Sequence, residues 1–358
     1  MKHTLIFLIA LLFAQSLSAQ MGMGKPKEIK ELGNRKMVVI TSALPKKAAD
    51  KLKKKGKTAE LAEIQKLYDS FNATVKDVMA ERWTMHKTVE YKTWEEFKKM
   101  PDKKREKYGV LYFMSKQASR FSAGDISAGY LVLTPDMGDE KITDHNFASL
   151  FQTCTIDKAE DVPVDKIKFN ATPVYGLTLP EVFPTALSIA FAITSINGYF
   201  EHRLSGEKVT RKKFMKEVAA NSTRLKDKTL LVRDDWKDKE LTLGQIKALY
   251  KHPVRVVSAK ELEEAVMARD SQYAWFVVLP VVNSNSRTTS VIFAHQIVDN
   301  VDGDVLGMYI PSMGSMMLKA YAGGTSGKDR MTEKTLKEMV EGFGKEGPDT
   351  GEEEEKER

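Results

Sequence analysis

Two serine–arginine pairs carry side chains that suit anion binding, and they occur at matched places in the two halves of the chain. Ser119–Arg120 and Ser286–Arg287 each lie in a loop between two apolar segments that predict strands. An arginine side chain presents parallel N–H donors that match the geometry of a carboxylate or a phosphate. One pair in each half predicts a clamp for a small anionic ligand. The alternative interpretation is a turn that both halves inherited.

A second group of reactive residues, Asp144, His145 and Cys154, holds the parts of a thiol hydrolase. A cysteine nucleophile needs a histidine base within hydrogen-bond reach and a third group that orients the histidine. No family signature surrounds these residues, so a surface excursion with an inert cysteine is the alternative. These residues support a second hypothesis, in which the protein hydrolyses polymers of the cell envelope or the exterior.

The segment Asp299–Asp304, "DNVDGD", gathers three carboxylates and an asparagine, which are oxygen ligands that calcium accepts. Its spacing does not match the twelve-residue calcium loop, and an Asp-Gly pair between apolar runs is typical of a hairpin turn. His295 shares a strand face with Val291, Phe293 and Ile297, which predicts a hydrogen-bonded core histidine. The sequence therefore predicts no metal site here.

Common catalytic motifs are missing from the sequence. It contains no G-x-S-x-G, no H-E-x-x-H and no C-x-x-C, and "AGGTSGKD" departs from the phosphate-binding loop at both ends. We therefore expect no cofactor, and a binding protein is favoured over an enzyme.

The first twenty residues predict a signal peptide. Lys2 supplies a positive charge, an apolar core follows from Thr4 to Ala14, and small residues end the segment before Gln20. This core is too short to favour a bilayer span, although a retained anchor is the alternative. The sequence thus predicts a protein that is exported to the periplasm or secreted, and that is not an integral membrane protein once the signal is removed.

The net charge of +7 is concentrated in lysine clusters. Seven lysines lie between Lys46 and Lys57, and a second basic run covers Lys98–Lys107. Such runs suit nucleic acid, anionic lipid or an acidic glycan, or else form a solvated surface. Because neither run is interleaved with stacking aromatic residues, we expect no nucleic-acid partner. The acidic residues 346–358 predict a disordered tail.

An internal duplication is predicted from landmarks that recur in order. "VYGLTLP", Val174–Pro180, recurs as "VLGMYIP", Val305–Pro311, each predicted as a last strand with its proline where a helix begins. Thr93 and Ser258 start matching capping boxes, and the serine–arginine pairs follow in both halves. Apolar segments at Tyr108–Met114 and Ile126–Leu133 predict neighbouring strands of the first half.

These landmarks predict an α/β fold made of two homologous repeats, residues 35–222 and 226–345. Each repeat is expected to form a mixed sheet, largely parallel with an antiparallel meander, covered by helices. The first repeat is predicted to carry an extra segment at about 138–173. It is also predicted to carry a long helix at about 181–204 that is buried against a sheet. A membrane span is the alternative for its uncharged run, and Pro184 and Asn197 count against that alternative.

The favoured function is a non-enzymatic, exported protein that binds a ligand or partner and arose by internal duplication. Its partner is expected to be a small anionic ligand or an envelope protein, and the ligand is expected between the repeats. The alternatives are the hydrolase described above and a structural or assembly factor of the envelope.

Overall fold

A computed structural model describes residues 24–44, 46–118, 126–130, 150–159, 174–181, 184–206, 211–284, 289–311, 324–326 and 328–344. Within these residues the fold is α/β, with two mixed sheets that each have helices around them. The chain divides into two compact units. One contains residues 1–205, 279–293 and 311–327, and the other contains residues 206–278, 294–310 and 328–358.

The first sheet has the strand order β2–β1–β3–β5–β6, with β4 paired to β3 off this path. Strand β1 is parallel to β2 and β3, whereas β3 is antiparallel to β4 and β5, and β5 is antiparallel to β6. The strands are β1 (Lys36–Thr41), β2 (Val89–Thr93), β3 (Tyr108–Ala118), β4 (Ile126–Tyr130), β5 (Leu150–Lys158) and β6 (Tyr175–Thr178).

The second sheet has the order β8–β7–β9–β10–β11, with β12 paired to β10 off this path. Strand β7 is parallel to β8 and β9, and β10 is antiparallel to β11. The strands are β7 (Thr229–Arg233), β8 (Val254–Val257), β9 (Tyr273–Ser284), β10 (Thr289–Asp299), β11 (Val305–Tyr309) and β12 (Gly324–Ser326). Because the five-strand path is the same in both sheets, the fold resembles a duplication.

The helices of the first half are α1 (Pro26–Gly33), α2 (Lys46–Lys54), α3 (Thr58–Arg82), α4 (Trp94–Lys98), α5 (Asp102–Arg105) and α6 (Ala186–Leu204). The later helices are α7 (Arg211–Asn221), α8 (Leu243–Tyr250), α9 (Ala259–Met267) and α10 (Glu333–Glu341). Short 3-10 helices lie at Ser222–Asp227 and Asp234–Trp236.

Matching capping boxes start α4 and α9, as the sequence predicts. The Thr93 hydroxyl accepts the Glu96 N–H at 3.2 Å, and the Glu96 carboxylate accepts the Thr93 N–H at 2.7 Å. Ser258 and Glu261 repeat this exchange at 3.2 and 2.8 Å. Each box satisfies backbone donors at the start of its helix, which fixes the boundary locally in both halves.

The strand registers extend the internal similarity beyond the motifs of the sequence. Gly176 of β6 pairs with Thr155, and Gly307 of β11 pairs with Ile297. Two residues after these partners stand Asp157 and Asp299, both only 2% exposed. A buried carboxylate thus lies one residue before the end of β5 and at the end of β10.

The two halves differ in length at several places rather than by one insertion. The β1–β2 connection spans residues 42–88 and includes α2 and α3, whereas the β7–β8 connection spans residues 234–253 with α8. Strand β5 lies inside the predicted extra segment 138–173, yet it occupies the place that β10 occupies in the second sheet. The prediction of a wholly extra segment is therefore wrong at β5, which is an integral strand.

Helix α6 lies within the region where the sequence predicts a long buried helix, and ten of its residues are buried. Its N-cap is Thr185, whose hydroxyl accepts the Ser188 N–H at 3.3 Å. Pro180 stands before this cap, so the prediction that Pro180 starts the helix is wrong. Within the described part of the chain, no helix combines the length and apolar character needed to cross a bilayer.

Gly109 of β3 allows α1 to approach the first sheet closely. A Cβ atom at this position would lie 2.6 Å from Cδ1 of Leu32, which is fully buried on α1. We expect Gly109→Ala to lower the free energy of unfolding by about 1–3 kcal/mol, because an added methyl group overpacks the contact. Gly244→Ala is the matched control in urea unfolding, since its Cβ would meet no atom closer than 3.9 Å. Equal stability of the two variants would contradict the close approach.

Candidate ligand-binding cleft

Most of the reactive residues singled out in the sequence lie outside the described residues. These are Ser119, Arg120, Ser286 and Arg287 of the predicted anion clamp, and Asp144 and His145 of the predicted thiol site. The clamp therefore stays a prediction from the sequence.

Cys154, the cysteine of the predicted thiol site, lies in the interior of the first sheet. It sits on β5 and is 0% exposed. Burial raises the pKa of its thiol, because the apolar surroundings disfavour the thiolate. Since the thiolate is the nucleophilic form, this environment disfavours a catalytic role for Cys154.

The acidic segment Asp299–Asp304 surrounds an arginine. The guanidinium of Arg224 contacts the carboxylates of Asp299, Asp302 and Asp304, the last two at 2.8 and 2.7 Å. The ammonium group of Lys228 lies 2.8 Å from Asp299. Among the described residues, no group of His, Cys, Asp or Glu side chains is arranged to hold a metal ion. In this structure the loop carboxylates therefore pair with cationic side chains.

His295 is fully buried, which confirms the prediction of a core histidine. Its Nε2–H donates to the Lys328 carbonyl at 2.7 Å, since a carbonyl can only accept. Its ring lies 5.4 Å from Phe276 and 5.3 Å from Tyr309. Burial lowers the pKa of His295 from 6.5 to about 4, against the opposing effects of the Lys328 carbonyl and Asp329. His295 is therefore neutral near pH 7.

A cleft of about 420 Å³ lies within the first compact unit. It is formed by α1, by the residues that follow α3, and by the C-terminal half of α6. Apolar contacts come from Ile29, Met85, Phe200 and Leu204. This size and apolar lining are typical of sites for small molecules.

Asn197 of α6 belongs to the lining of the cleft and carries a buried acceptor without a partner among the described residues. Its Nδ2 group donates to the backbone carbonyl of Arg82, which ties α6 to the end of α3. Its Oδ1 atom is buried and has no hydrogen-bond partner among the described residues. A buried acceptor without a partner costs about 1–3 kcal/mol, so a donor that reached Oδ1 would recover that free energy.

The segment Trp83–His86 holds one wall of the cleft in place. Trp83 Nε1–H donates to His86 Nδ1 at 3.2 Å, and His86 Nε2 lies 3.1 Å from the Leu32 carbonyl. Because the indole can only donate, Nδ1 is the accepting atom and Nε2 carries the proton. Burial lowers the pKa of His86, which favours the neutral ring, and the hydrogen bond to the Leu32 carbonyl opposes this effect. These bonds fix the positions of Thr84 and Met85, the two residues between Trp83 and His86. Both residues line the cleft.

Charges of both signs lie at the cleft. Lys30 of α1 and Glu201 of α6 are both exposed lining residues. The Thr84 hydroxyl donates weakly to Glu201 at 3.4 Å. Leu204 also lines the cleft and is 47% exposed, so its apolar side chain is accessible to a ligand. A ligand with an apolar part and a charged group would find complementary surface here.

Sequence reasoning did not locate this cleft. The available signal is the polar Asn197 inside the uncharged segment Val182–Phe200. In the sequence alone Asn197 counts only against a membrane span. Nothing in the sequence pairs α6 with α1 or with the end of α3, so the cleft is not predicted.

Comparison with known proteins assigns no family to this chain. No protein-family model matches it, and neither a curated protein nor a solved structure matches it. The function is therefore inferred from the residues of the cleft together with the features of the sequence.

Proposed function

We propose that the protein is an exported, non-enzymatic binding protein that holds a small ligand in the cleft between α1, the end of α3 and α6. The observation that carries this proposal is Asn197, a residue of the cleft lining whose buried Oδ1 atom has no partner among the described residues. Apolar walls with a few polar groups that fix orientation are the usual composition of a ligand site.

The lining residues define a ligand class. The ligand is a small, partly apolar molecule with an N–H or O–H group that donates to Asn197. Its apolar part packs against Phe200 and Leu204. An anionic group, as the sequence favours, pairs with Lys30, whereas a cationic group would pair with Glu201. The serine–arginine pairs are a separate predicted anion site, which the cleft does not require.

Export is the part of this proposal that rests on the sequence alone. Lys2, the apolar core Thr4–Ala14 and the small residues after it support a signal peptide. Placement in the periplasm or outside the cell would bring the cleft into contact with solutes of that compartment.

Leu204→Gln is expected to weaken ligand binding by about fivefold to tenfold, because the lost apolar burial corresponds to roughly 1–1.4 kcal/mol. Purified protein is screened by thermal shift against amino acids, organic acids, sugars and short peptides, and hits are titrated by calorimetry. Leu67→Gln is the matched control, since Leu67 is a similarly exposed leucine, at 42%, that does not line the cleft. Both substitutions lie at the surface and should leave the free protein nearly as stable as before.

Two further variants determine the charge that the cleft selects. Lys30→Gln should weaken an anionic hit, and Glu201→Gln should weaken a cationic hit. A flat response across the panel, or hits that both leucine variants bind with wild-type affinity, would contradict the proposed cleft. A flat response together with a stable co-purifying protein would favour the structural or assembly alternative.

A further inference from the structure

The surface of α2 carries a concentrated positive charge that the proposed cleft does not use. The segment Lys46–Lys57 contains seven lysines and one acidic residue, Asp50. Each of these lysines is exposed, and α2 has no buried residue. The excess of positive charge therefore lies on the solvent side of one short helix and its C-terminal extension.

The lysines of α2 lie on one face of the helix. Successive residues turn by about 100°, so Ala48, Ala49 and Leu52 share one side. These three residues are half-buried, and α2 packs against α3. The five lysines of the helix fall within an arc of about 160° on the other side. They are Lys46, Lys47, Lys51, Lys53 and Lys54.

This lysine face keeps an excess of positive charge, because Asp50 is the one acidic residue among the nine residues of α2. Lys57 pairs with Glu60 at 2.8 Å, whereas the other lysines of the segment form no ion pair with a described residue. Lys47 and Lys51 are four residues apart on the helix, a spacing at which like charges destabilise it. A bound polyanion would remove this repulsion, so the face is electrostatically complementary to repeated negative charge.

We propose that the lysine face of α2 binds a soluble linear polyanion, such as an acidic polysaccharide that carries carboxylate or sulfate groups. A helix that inserts into a membrane surface needs an exposed apolar side, whereas the apolar side of α2 is turned against α3. The segment also lacks aromatic residues on which nucleic-acid bases would stack. Both facts favour an acidic polysaccharide over a lipid surface or a single-stranded nucleic acid.

The second basic run provides a control at the other end of the same sheet. Strand β1 is parallel to β3, α2 follows the carboxyl end of β1, and α5 precedes the amino end of β3. The exposed residues Lys99, Lys103 and Lys104 therefore belong to the end opposite α2. Replacing them removes as much charge as replacing three lysines of α2.

The test measures the affinity of the full chain for polygalacturonate and dextran sulfate over a range of salt concentrations. The triple variant Lys47→Gln, Lys51→Gln, Lys54→Gln should lose about tenfold or more in affinity at low salt. The slope of log K against log salt should become shallower by about 2, since each engaged lysine releases nearly one counterion. The control variant Lys99→Gln, Lys103→Gln, Lys104→Gln should keep most of the affinity.

Melting temperatures separate binding from folding. The α2 variant should melt at or slightly above the wild-type temperature, because it loses only exposed, mutually repelling charges. Equal losses in both triple variants, or no binding of the wild type at low salt, would overturn the proposal. Tighter binding to phosphatidylglycerol vesicles or to a DNA oligonucleotide than to the polysaccharides would also overturn it.

Discussion

Replacing Arg224 by methionine is expected to lower the free energy of unfolding by about 2–4 kcal/mol. Removing one partner of a fully buried ion pair costs about 3–5 kcal/mol. The cost here is lower, because the Arg224 side chain is 34% exposed. The Asp299 side chain is 0% exposed, and its charge would keep Lys228 as the one cationic partner among the described residues. Asp302 and Asp304 would also lose the cation that holds them together.

The loss should depend on pH in a defined direction. Burial raises the pKa of Asp304 above its usual value, as does the neighbouring charge of Asp302, whereas Arg224 opposes both. Without Arg224 the pKa of Asp304 should rise further. When the pKa of a group is raised in the folded state, the folded protein takes up the proton at a higher pH than the unfolded chain does. Lowering the pH therefore stabilises the folded form through this group. The difference between variant and wild type should therefore shrink as the pH falls towards 4.5.

Urea unfolding of the full chain at two pH values measures this effect. Arg105→Met is the control, because Arg105 pairs with the exposed Asp102 at the surface and should contribute at most about 1 kcal/mol. Adding Asp302→Asn and Asp304→Asn to Arg224→Met should restore part of the lost stability. If Arg224→Met were no more destabilising than Arg105→Met, the three-aspartate contact would not contribute to folding.

The second large effect is expected from His295, which should make the free energy of unfolding sensitive to acid. Its pKa is about 4 in the folded protein against an ordinary value of 6.5. The unfolded chain therefore binds the proton first, and stability falls as the pH drops from about 6.5 towards 4. Between about pH 7 and pH 4.5 this residue alone should reduce the free energy of unfolding by roughly 2–3 kcal/mol.

His295→Gln removes the titration while keeping an N–H donor near the Lys328 carbonyl. The variant should be less stable than the wild type near pH 7, because glutamine does not fill the space between Phe276 and Tyr309. Its stability should nevertheless fall less towards acid pH. His252→Gln is the control for a half-buried histidine outside that core. An acid response of His295→Gln equal to that of the wild type would contradict the buried neutral imidazole.

The fold could be predicted where its causes are local. The capping boxes at Thr93 and Ser258 need only residues three positions apart, and both form as the sequence indicates. The sequence does not indicate strand β5, whose buried Asp157 is of a residue type that is mostly exposed. The Asp157 carboxylate accepts the Lys158 and Val174 N–H groups, and Val174 is distant along the chain. The burial of a polar residue can be explained only when its hydrogen-bond partner is known.

The candidate cleft could not be predicted for a related reason. Its walls come from α1, the end of α3 and α6, which are far apart in the sequence and meet only in the folded unit. Asn197 is recognisable as unusual, yet its significance depends on the Arg82 carbonyl satisfying one end of its amide. The sequence instead indicates candidate sites by their chemically reactive residue types. Among these residues, Cys154 is described by the structure and lies in the core.

Protection of an introduced thiol tests the cleft most directly. Cys154 is the only cysteine of the chain and is fully buried, so the folded wild type should react slowly with a thiol reagent. Leu204→Cys and Leu67→Cys each place one accessible thiol on a helix. The proposed function predicts that a screened ligand slows labelling of Leu204→Cys and leaves labelling of Leu67→Cys unchanged. Equal labelling rates with and without every hit at Leu204→Cys would contradict it.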